Sequence, residues 1–214
     1  MKTVEKKVSY TTVNSYSVLN KLTSKTKNVW FVCHGIGYLS RYFLKYFNEL
    51  PPEENYIIAP QAASKYYLNG EYKHVGASWL TKENTMEELH NVLTYLDTVY
   101  KHENIPDHCN FIVFGYSQGV SIAARWVAKR KVDCHRLVLH SGGIPHELVE
   151  DDFTFLRDNH TEVDIIIGDK DPYLTPERIQ AESKKIENLF QGRAKQLIFD
   201  GGHEIKKEII NQLV

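Results

Sequence analysis

The sequence predicts a single α/β domain, residues 1–214, in which helices cover both faces of a mostly parallel central sheet. Short apolar runs alternate along the chain with longer stretches whose apolar residues recur at helical spacing. The runs have no polar face, which is typical of parallel strands buried on both sides. No repeat, low-complexity segment or linker divides the 214 residues, a length that suits one domain.

The elements follow one another regularly after a less regular start. Residues 3–20 predict two short polar strands, broken near Asn14 and Ser15. The apolar run VWFVC predicts the first buried strand, and the prolines at 51 and 52 end the first helix. The predicted order is strand 29–33, helix 39–50, strand 56–59, helix 85–102, strand 111–114, helix 118–130, strand 137–139, strand 164–167, helix 176–190, strand 197–199 and helix 204–213.

Composition excludes several classes of partner. A formal net charge of −1 argues against a nucleic acid or an anionic membrane surface as the main partner. The three cysteines have no CxxC spacing, which is typical of a reduced intracellular protein. Residues 1–9 lack the apolar core of a signal peptide, and no stretch has the apolar length of a membrane-spanning helix. We therefore expect a cytoplasmic protein without stable membrane insertion.

Four of the predicted strand ends carry unusual residues. Ligands of parallel α/β sheets bind outside the carboxyl ends of the strands, so residues placed there are candidates for a functional site. The four segments are HGIG at 34–37, GYSQG at 115–119, GDKD at 168–171 and DGGH at 200–203.

Ser117 is the candidate nucleophile. It is the central residue of a G-x-S-x-G pattern that follows an apolar strand and precedes a helix, the setting of a nucleophile elbow. The two glycines allow a sharp turn that exposes the serine hydroxyl. The backbone N–H of Gln118 then opens the helix and is a candidate oxyanion donor.

A serine hydroxyl needs a base, and His203 is the candidate among ten histidines. It follows the last strand and completes the order Ser, Asp, His. His140 also ends a strand but precedes the candidate acids. His34 is expected to hold its loop by hydrogen bonds rather than to act as the base. The acid follows strand 164–167, where spacing leaves Asp169 and Asp171 as alternatives.

A second oxyanion donor is expected from the glycine-containing loop after the first buried strand. The glycines of segment 34–37 permit close approach of the backbone to a ligand, so the N–H of Ile36 is the candidate beside that of Gln118.

With these residues in place, the chain resembles the phospholipase/carboxylesterase family, small serine esterases of the α/β-hydrolase fold related to acyl-protein thioesterases. Segment 34–37 is similar to the family's H-G-x-G loop, and segment 115–119 to its G-F/Y-S-Q-G elbow. Residues 168–172 resemble G-D-x-D-P, which implies Asp171 as the acid, and residues 202–205 resemble G-H-E-I. Val120 and Tyr38 depart from the family pattern beside the expected acyl pocket, which leaves substrate preference open.

The resemblance and the residues together predict a serine hydrolase that cleaves small carboxylic esters or thioesters without a metal or organic cofactor. The segment 141–162 is too short for a large lid domain, so we expect an open, shallow cleft. Trp79, Tyr38, Tyr173 and Ile36 are candidates for its wall. The alternatives are a peptidase or amidase on the same fold, and a hydrolase-like binding protein without catalysis. A dehydrogenase is excluded because no G-x-G-x-x-G follows the first strand.

Overall fold

The computed structural model describes residues 3–214, which form a seven-stranded sheet, a two-stranded hairpin and six α-helices. The strands are β1 Tyr16–Leu19, β2 Asn28–Cys33, β3 Asn55–Pro60, β4 Ser64–Tyr67, β5 Val75–Ser78, β6 Asn110–Tyr116, β7 Arg136–His140, β8 Glu162–Gly168 and β9 Ala194–Phe199. The helices are α1 Ser40–Phe43, α2 Thr85–His102, α3 Gln118–Arg130, α4 Thr154–Asp158, α5 Pro176–Phe190 and α6 Lys207–Asn211.

The large sheet has the order β1-β3-β2-β6-β7-β8-β9, and the hairpin is β4-β5. Every neighbouring pair in the large sheet is parallel except β1 and β3. The sheet is therefore mostly parallel, as predicted, and the carboxyl ends of β2, β6, β7, β8 and β9 meet at one edge. No large lid domain interrupts residues 3–214.

Alternation along the buried strands divides the core into two layers. In β2, Val29, Phe31 and Cys33 face one layer, and Trp30 and Val32 face the other. The first layer contains the apolar residues of α2 and α3 and the end of α5. The second contains those of α1 and α6. Helices thus cover both faces, which confirms the predicted architecture.

Several boundaries differ from the prediction. Within residues 3–20 only Tyr16–Leu19 is a strand, and it pairs with β3 instead of forming a hairpin, because residues 3–13 are exposed and have no partner strand. The helix predicted at 39–50 is shorter: α1 passes into a 3₁₀-helix at Leu44–Phe47. The β4-β5 hairpin and α4 were not predicted. Within residues 3–214, no helix has the length and apolarity needed to cross a lipid bilayer.

Candidate active site

Ser117 lies in a strained turn between β6 and α3. Its backbone has φ 53° and ψ −117°, a conformation that non-glycine residues rarely adopt. A side chain on Gly115 would come within 2.5 Å of the carbonyl oxygen of Gly119, and one on Gly119 within 2.0 Å of that of Cys33. Both positions of the elbow therefore require glycine, because adjacent backbone occupies the space of a Cβ atom.

The side chains of Ser117, His203 and Asp171 form a hydrogen-bonded line. His203 Nε2 lies 2.8 Å from Ser117 Oγ, and His203 Nδ1 lies 2.7 Å from Asp171 Oδ2. Since an ionised carboxylate only accepts hydrogen bonds, Nδ1 carries the proton and Nε2 is free to accept the serine proton. The fold thus brings His203 into contact with Ser117, which is 86 positions away in the sequence, and with Asp171, which is 32 positions away.

The loops after β8 and β9 hold the acid and the imidazole in contact. A Cβ on Gly168 would lie 2.4 Å from the carbonyl oxygens of both Gly201 and Gly202, so the two loops touch through backbone. Asp171 is buried, and its Oδ1 accepts a hydrogen bond of 2.9 Å from the N–H of Tyr173. Burial and the two hydrogen bonds fix the carboxylate in one orientation.

The two aspartates that the spacing left as alternatives have different contacts. Asp171 contacts His203, whereas Asp169 Oδ1 accepts a hydrogen bond of 3.0 Å from the N–H of Gly201. Asp169 therefore ties the β8 and β9 loops together and does not reach the imidazole.

Tyr116, the residue before Ser117, holds the histidine loop. Its hydroxyl donates a hydrogen bond of 2.8 Å to the carbonyl oxygen of His203, and the two rings lie 5.4 Å apart. Burial, together with nearby tyrosines and carboxylates, raises the pKa of Tyr116 well above its ordinary value, so the hydroxyl stays a donor. The ring of Tyr173 packs edge-on against His203 from 4.9 Å.

The loop after β2 lies beside the nucleophile. A Cβ on Gly35 would be 3.2 Å from Ser117 Cβ, and the N–H of Gly37 donates a hydrogen bond of 2.9 Å to the carbonyl oxygen of Ala77 in β5. Within residues 3–214, neither the Ile36 N–H nor the Gln118 N–H is engaged in a hydrogen bond. Both donors are therefore available beside Ser117.

His34 secures this loop. Its Nδ1 lies 2.8 Å from the carbonyl oxygen of Gly35, and its Nε2 accepts a hydrogen bond of 3.2 Å from the N–H of Ala62. The two contacts require a neutral ring protonated on Nδ1. Burial lowers the pKa of His34 to about 4, so the ring stays neutral at neutral pH. His34 thus has the loop-holding contacts expected from the sequence.

The side chain of Gln118 connects the elbow to the end of β5. Its Oε1 accepts a hydrogen bond of 2.9 Å from the N–H of Trp79, and its Nε2 donates one of 2.8 Å to the carbonyl oxygen of Leu80. The amide therefore fixes the segment after β5 to the first turn of α3.

His140, the other histidine at a strand end, is fully buried. Its carbonyl oxygen accepts a hydrogen bond of 2.9 Å from the N–H of Ser117, while its ring packs against Tyr116 and Phe199. Burial and the nearby His203 lower the pKa of His140 to about 3. It supports the backbone of the elbow but does not contact the serine hydroxyl.

A cavity of about 680 Å³ opens beside Ser117. Ile36, Tyr38 and Tyr173 line it, as expected from the sequence. The expectation for Trp79 is wrong: its side chain is 1 % exposed and does not line the cavity, because its indole N–H donates to the carbonyl oxygen of His34 at 2.7 Å. Trp79 is a core residue that contacts the end of β2 and the loop after it through His34.

The cavity extends from Ser117 to helix α5, and it is open to solvent there, since Tyr173 and Ile179 are exposed. Ile165 and Ile167 of β8 form one wall, and Ile179 and Ile186 of α5 form the other. Neither these residues nor the polar ones beside them were predicted as part of the site. The only signal in the sequence is that helix 176–190 directly follows the acid loop. The additional polar residues are Ser121, Ser141, Arg178, Glu182, Ser183 and Gln196.

The fold is shared with solved structures of a thioesterase and several esterases. Acyl-protein thioesterase 2 from Zea mays superposes with a TM-score of 0.68 at 16% identity, over 94% of this chain and 96% of that one. A carboxylesterase from Mesorhizobium loti gives a TM-score of 0.66 at 15% identity, over 92% of both chains. A phospholipase/carboxylesterase from Dyadobacter fermentans gives 0.63 at 18% identity, over 95% of this chain and 97% of that one.

Sequence comparison alone does not reveal this relationship, since no protein-family model and no curated protein matches the chain. The structural similarity extends over nearly the whole length of each neighbour, and the sheet is the mostly parallel one described above. The chain therefore has the α/β-hydrolase fold, in the form found in these esterases and the thioesterase.

Proposed function

We propose that the protein is a serine hydrolase that cleaves small carboxylic esters or thioesters through an acyl-enzyme intermediate. The observation that carries the proposal is the line of hydrogen bonds from Ser117 Oγ through His203 to Asp171, with distances of 2.8 and 2.7 Å. This arrangement pairs a nucleophile with a base, and the base with a group that orients it.

In the first step, Ser117 Oγ attacks the substrate carbonyl carbon while His203 Nε2 takes the hydroxyl proton. Asp171 keeps the proton of the neutral imidazole on Nδ1 and stabilises the imidazolium that forms. Because Asp171 is buried and also bonded to the N–H of Tyr173, it needs little reorganisation during the step.

The negative charge that develops on the carbonyl oxygen is stabilised by the N–H groups of Ile36 and Gln118. Neither N–H is engaged in a hydrogen bond within residues 3–214, and the Ile36 loop is fixed through His34 and Gly37. Loss of one such donor costs about 10²- to 10³-fold in turnover in related chemistry. The donors are preorganised because the loop is bonded to β5 before substrate arrives.

The imidazolium of His203 then protonates the departing alcohol or thiol, which leaves the acyl group on Ser117. In the second half, His203 removes a proton from water, the hydroxide adds to the acyl carbon, and Ser117 leaves with the proton returned by His203. The cavity of about 680 Å³ is large enough for a small acyl group and lies within the range of ligand pockets.

The test is hydrolysis of p-nitrophenyl esters from acetate to decanoate and of the matching acyl thioesters. We expect Ser117→Ala to lose activity on all of them and to lose labelling by a fluorophosphonate probe. A folded wild-type protein that hydrolyses none of these substrates and does not label would refute the proposal.

A matched pair of variants tests the assignment of the acid. Asp171→Asn should lower kcat by about 10⁴-fold, because an asparagine no longer stabilises the imidazolium or its tautomer. Asp169→Asn should stay within about tenfold of the wild type, since Asp169 only joins two loops by a hydrogen bond worth about 1 kcal/mol. Equal losses in the two variants would contradict the assignment.

A further inference from the structure

The open cavity beside α5 is lined by isoleucines and polar side chains, with one permanent cation and, besides Asp171, one carboxylate, Glu182. Its two walls are the isoleucines of β8 and α5 described above, and Arg178 projects from the first turn of α5. No other arginine and no lysine lines this cavity within residues 3–214. A groove that combines isoleucine side chains with a guanidinium group is suited to a ligand that has an apolar chain and an anionic group at one end.

Few groups of the protein interact with the guanidinium group of Arg178. Within residues 3–214 it forms no ion pair, and its guanidinium makes one hydrogen bond, of 3.2 Å to the carbonyl oxygen of Tyr173. A guanidinium group has five N–H donors, so most of them are left for a ligand or solvent. The surrounding fold therefore does not account for this cation.

Helix electrostatics do not account for it either. α5 begins at Pro176 with Thr175 as its N-cap, so Arg178 stands in the first turn, where the helix dipole disfavours a positive charge. The same dipole favours an anion bound at this end of the helix. The position is unfavourable for a structural arginine and favourable for one that binds an anion.

The carboxylate nearest to Arg178 is already partnered. Glu182 Oε1 lies 3.4 Å from Lys185 Nζ, and Glu182 Oε2 lies 3.4 Å from the N–H of Ile144. Glu182 and Arg178 are not within ion-pair distance of each other. Arg178 is exposed at the cavity, and no ion pair within the described residues holds its guanidinium group.

The loop after β7 connects this cation to the nucleophile. A Cβ on Gly142 would lie 2.3 Å from the carbonyl oxygen of Ser117, whereas one on Gly143 would lie 3.5 Å from Arg178 Nη2 and 3.4 Å from Glu182 Oε1. Adjacent residues of one loop therefore contact the elbow and the guanidinium group. The absence of a side chain at Gly143 leaves space between them for a short chain.

We infer that Arg178 binds a carboxylate at the far end of the acyl group, so that the preferred substrates are esters or thioesters of dicarboxylic acids with the second carboxyl free. This inference rests on the proposed function of Ser117. The isoleucines of β8 and α5 contact the methylene chain, and the planar guanidinium accommodates the carboxylate with two parallel hydrogen bonds. In this proposal the acyl group, rather than the leaving group, occupies the space between the isoleucines.

The test compares p-nitrophenyl esters of adipic and suberic acid that have the second carboxyl either free or methylated. Wild-type kcat/KM should favour the free acids by at least about tenfold, since hydrogen bonds between charged groups are the strong ones. Arg178→Gln should lower this preference by about 10- to 100-fold. The effect should be mainly on KM, because a carboxylate far from the reacting carbonyl is bound equally tightly in the ground state and in the transition state. Arg178→Lys should keep part of the preference. Lys184→Gln, an exposed lysine of α5 outside the cavity, should leave it unchanged.

The outcomes separate this inference from the proposed function. A wild type that hydrolyses neutral esters but has no preference for the free acids overturns the inference and leaves the proposed function standing. The inference is also overturned if Arg178→Gln lowers activity only on p-acetoxybenzoate, in which the carboxylate is on the leaving group. A preference for esters with an ammonium group at the far end would overturn it as well.

Failure of all ester hydrolysis and of fluorophosphonate labelling overturns the proposed function instead. Calorimetric titration of suberate into Ser117→Ala, and into the same protein with Arg178→Gln, then tests the binding site without turnover. Tighter binding of suberate than of octanoate, lost in the second protein, would support the assignment to Arg178. Equal binding in both proteins would overturn it.

Discussion

Lowering the pH from 7.5 to 5.0 should destabilise the folded protein by about 4 kcal/mol, because two buried histidines are held neutral. His34 is neutral because burial lowers its pKa to about 4, and His140 because burial and the nearby His203 lower its pKa to about 3. Both have an ordinary value of 6.5, which applies to the unfolded chain.

The sign follows from proton binding. Between pH 6.5 and the folded-state pKa values, the unfolded chain binds protons that the folded chain excludes, so stability falls as the pH falls. At pH 5.0 each histidine contributes a loss of about 2 kcal/mol, from 1.36 kcal/mol for each of the roughly 1.5 pH units between its unfolded pKa and pH 5.0. The sum is a large part of the 5–15 kcal/mol that is typical of a domain.

Urea denaturation followed by circular dichroism at pH 7.5, 6.5, 5.5 and 5.0 measures the effect. His34→Asn and His140→Asn keep a donor near the position of Nδ1 but do not titrate. Below pH 6.5, the free energy of unfolding of each variant should therefore fall with pH less steeply than that of the wild type, by about 1.4 kcal/mol per pH unit. The slope is compared rather than the absolute free energy of unfolding, because either substitution also changes packing. A wild-type stability that varies by less than 1 kcal/mol over this range, or variants with unchanged slopes, would refute the reasoning.

Three substitutions test other contacts. Tyr116→Phe should lower kcat by about 3- to 10-fold in ester hydrolysis, because it removes the hydrogen bond that holds the backbone of His203. Gly119→Ala should lower the free energy of unfolding by more than about 3 kcal/mol in urea denaturation, because its Cβ would lie 2.0 Å from the carbonyl oxygen of Cys33. Asp164→Asn should cost about 3 kcal/mol in the same measurement, because it breaks the buried ion pair of β8 with the arginine that begins β7.

Each of these substitutions has a control of the same type. Tyr100→Phe alters a tyrosine that packs against Trp126 on the other face of the sheet and should leave kcat unchanged. Gly70→Ala has no atom within 4 Å of its Cβ and should cost only about 1 kcal/mol, from its positive φ. Asp158→Asn breaks an exposed ion pair and should change stability by less than about 0.5 kcal/mol. If a control variant loses as much kcat or stability as the variant it is paired with, the reason given for that variant is contradicted.

The parallel sheet was predictable because its strands are apolar on both faces. β2, β3 and β6 are nearly continuous runs of buried residues, and the carboxyl ends of β2 and β6 carry the glycines of the site and Ser117. The convergence of Ser117, Asp171 and His203 could be expected from one rule, that these ends meet at the same edge of the sheet. The local sequence pattern and this topological rule were therefore sufficient to predict the sheet and the meeting of the three side chains.

Features that depend on tertiary packing were not predictable. The aromatic residues of β4 are exposed, so the strand has no apolar pattern to identify it. An indole such as that of Trp79 suits a core and a pocket equally well, and only its hydrogen bond to His34 decides. The part of the cavity lined by α5 and by Ile165 depends on how the helix packs on the sheet, which no periodicity in the sequence encodes.

The position of β9 at the edge of the large sheet has a consequence for how activity would be lost. β9 pairs only with β8, and half of its residues are exposed, including Ile198 at 64 %. Edge elements with few buried contacts open at lower free energy than the centre of a sheet. Detachment of this one strand would withdraw His203 from Ser117 while β2, β6 and β7 remained paired. Inactivation by mild denaturant should therefore be a sub-global opening, in which amide exchange in β9 rises together with the loss of turnover and before the central strands exchange.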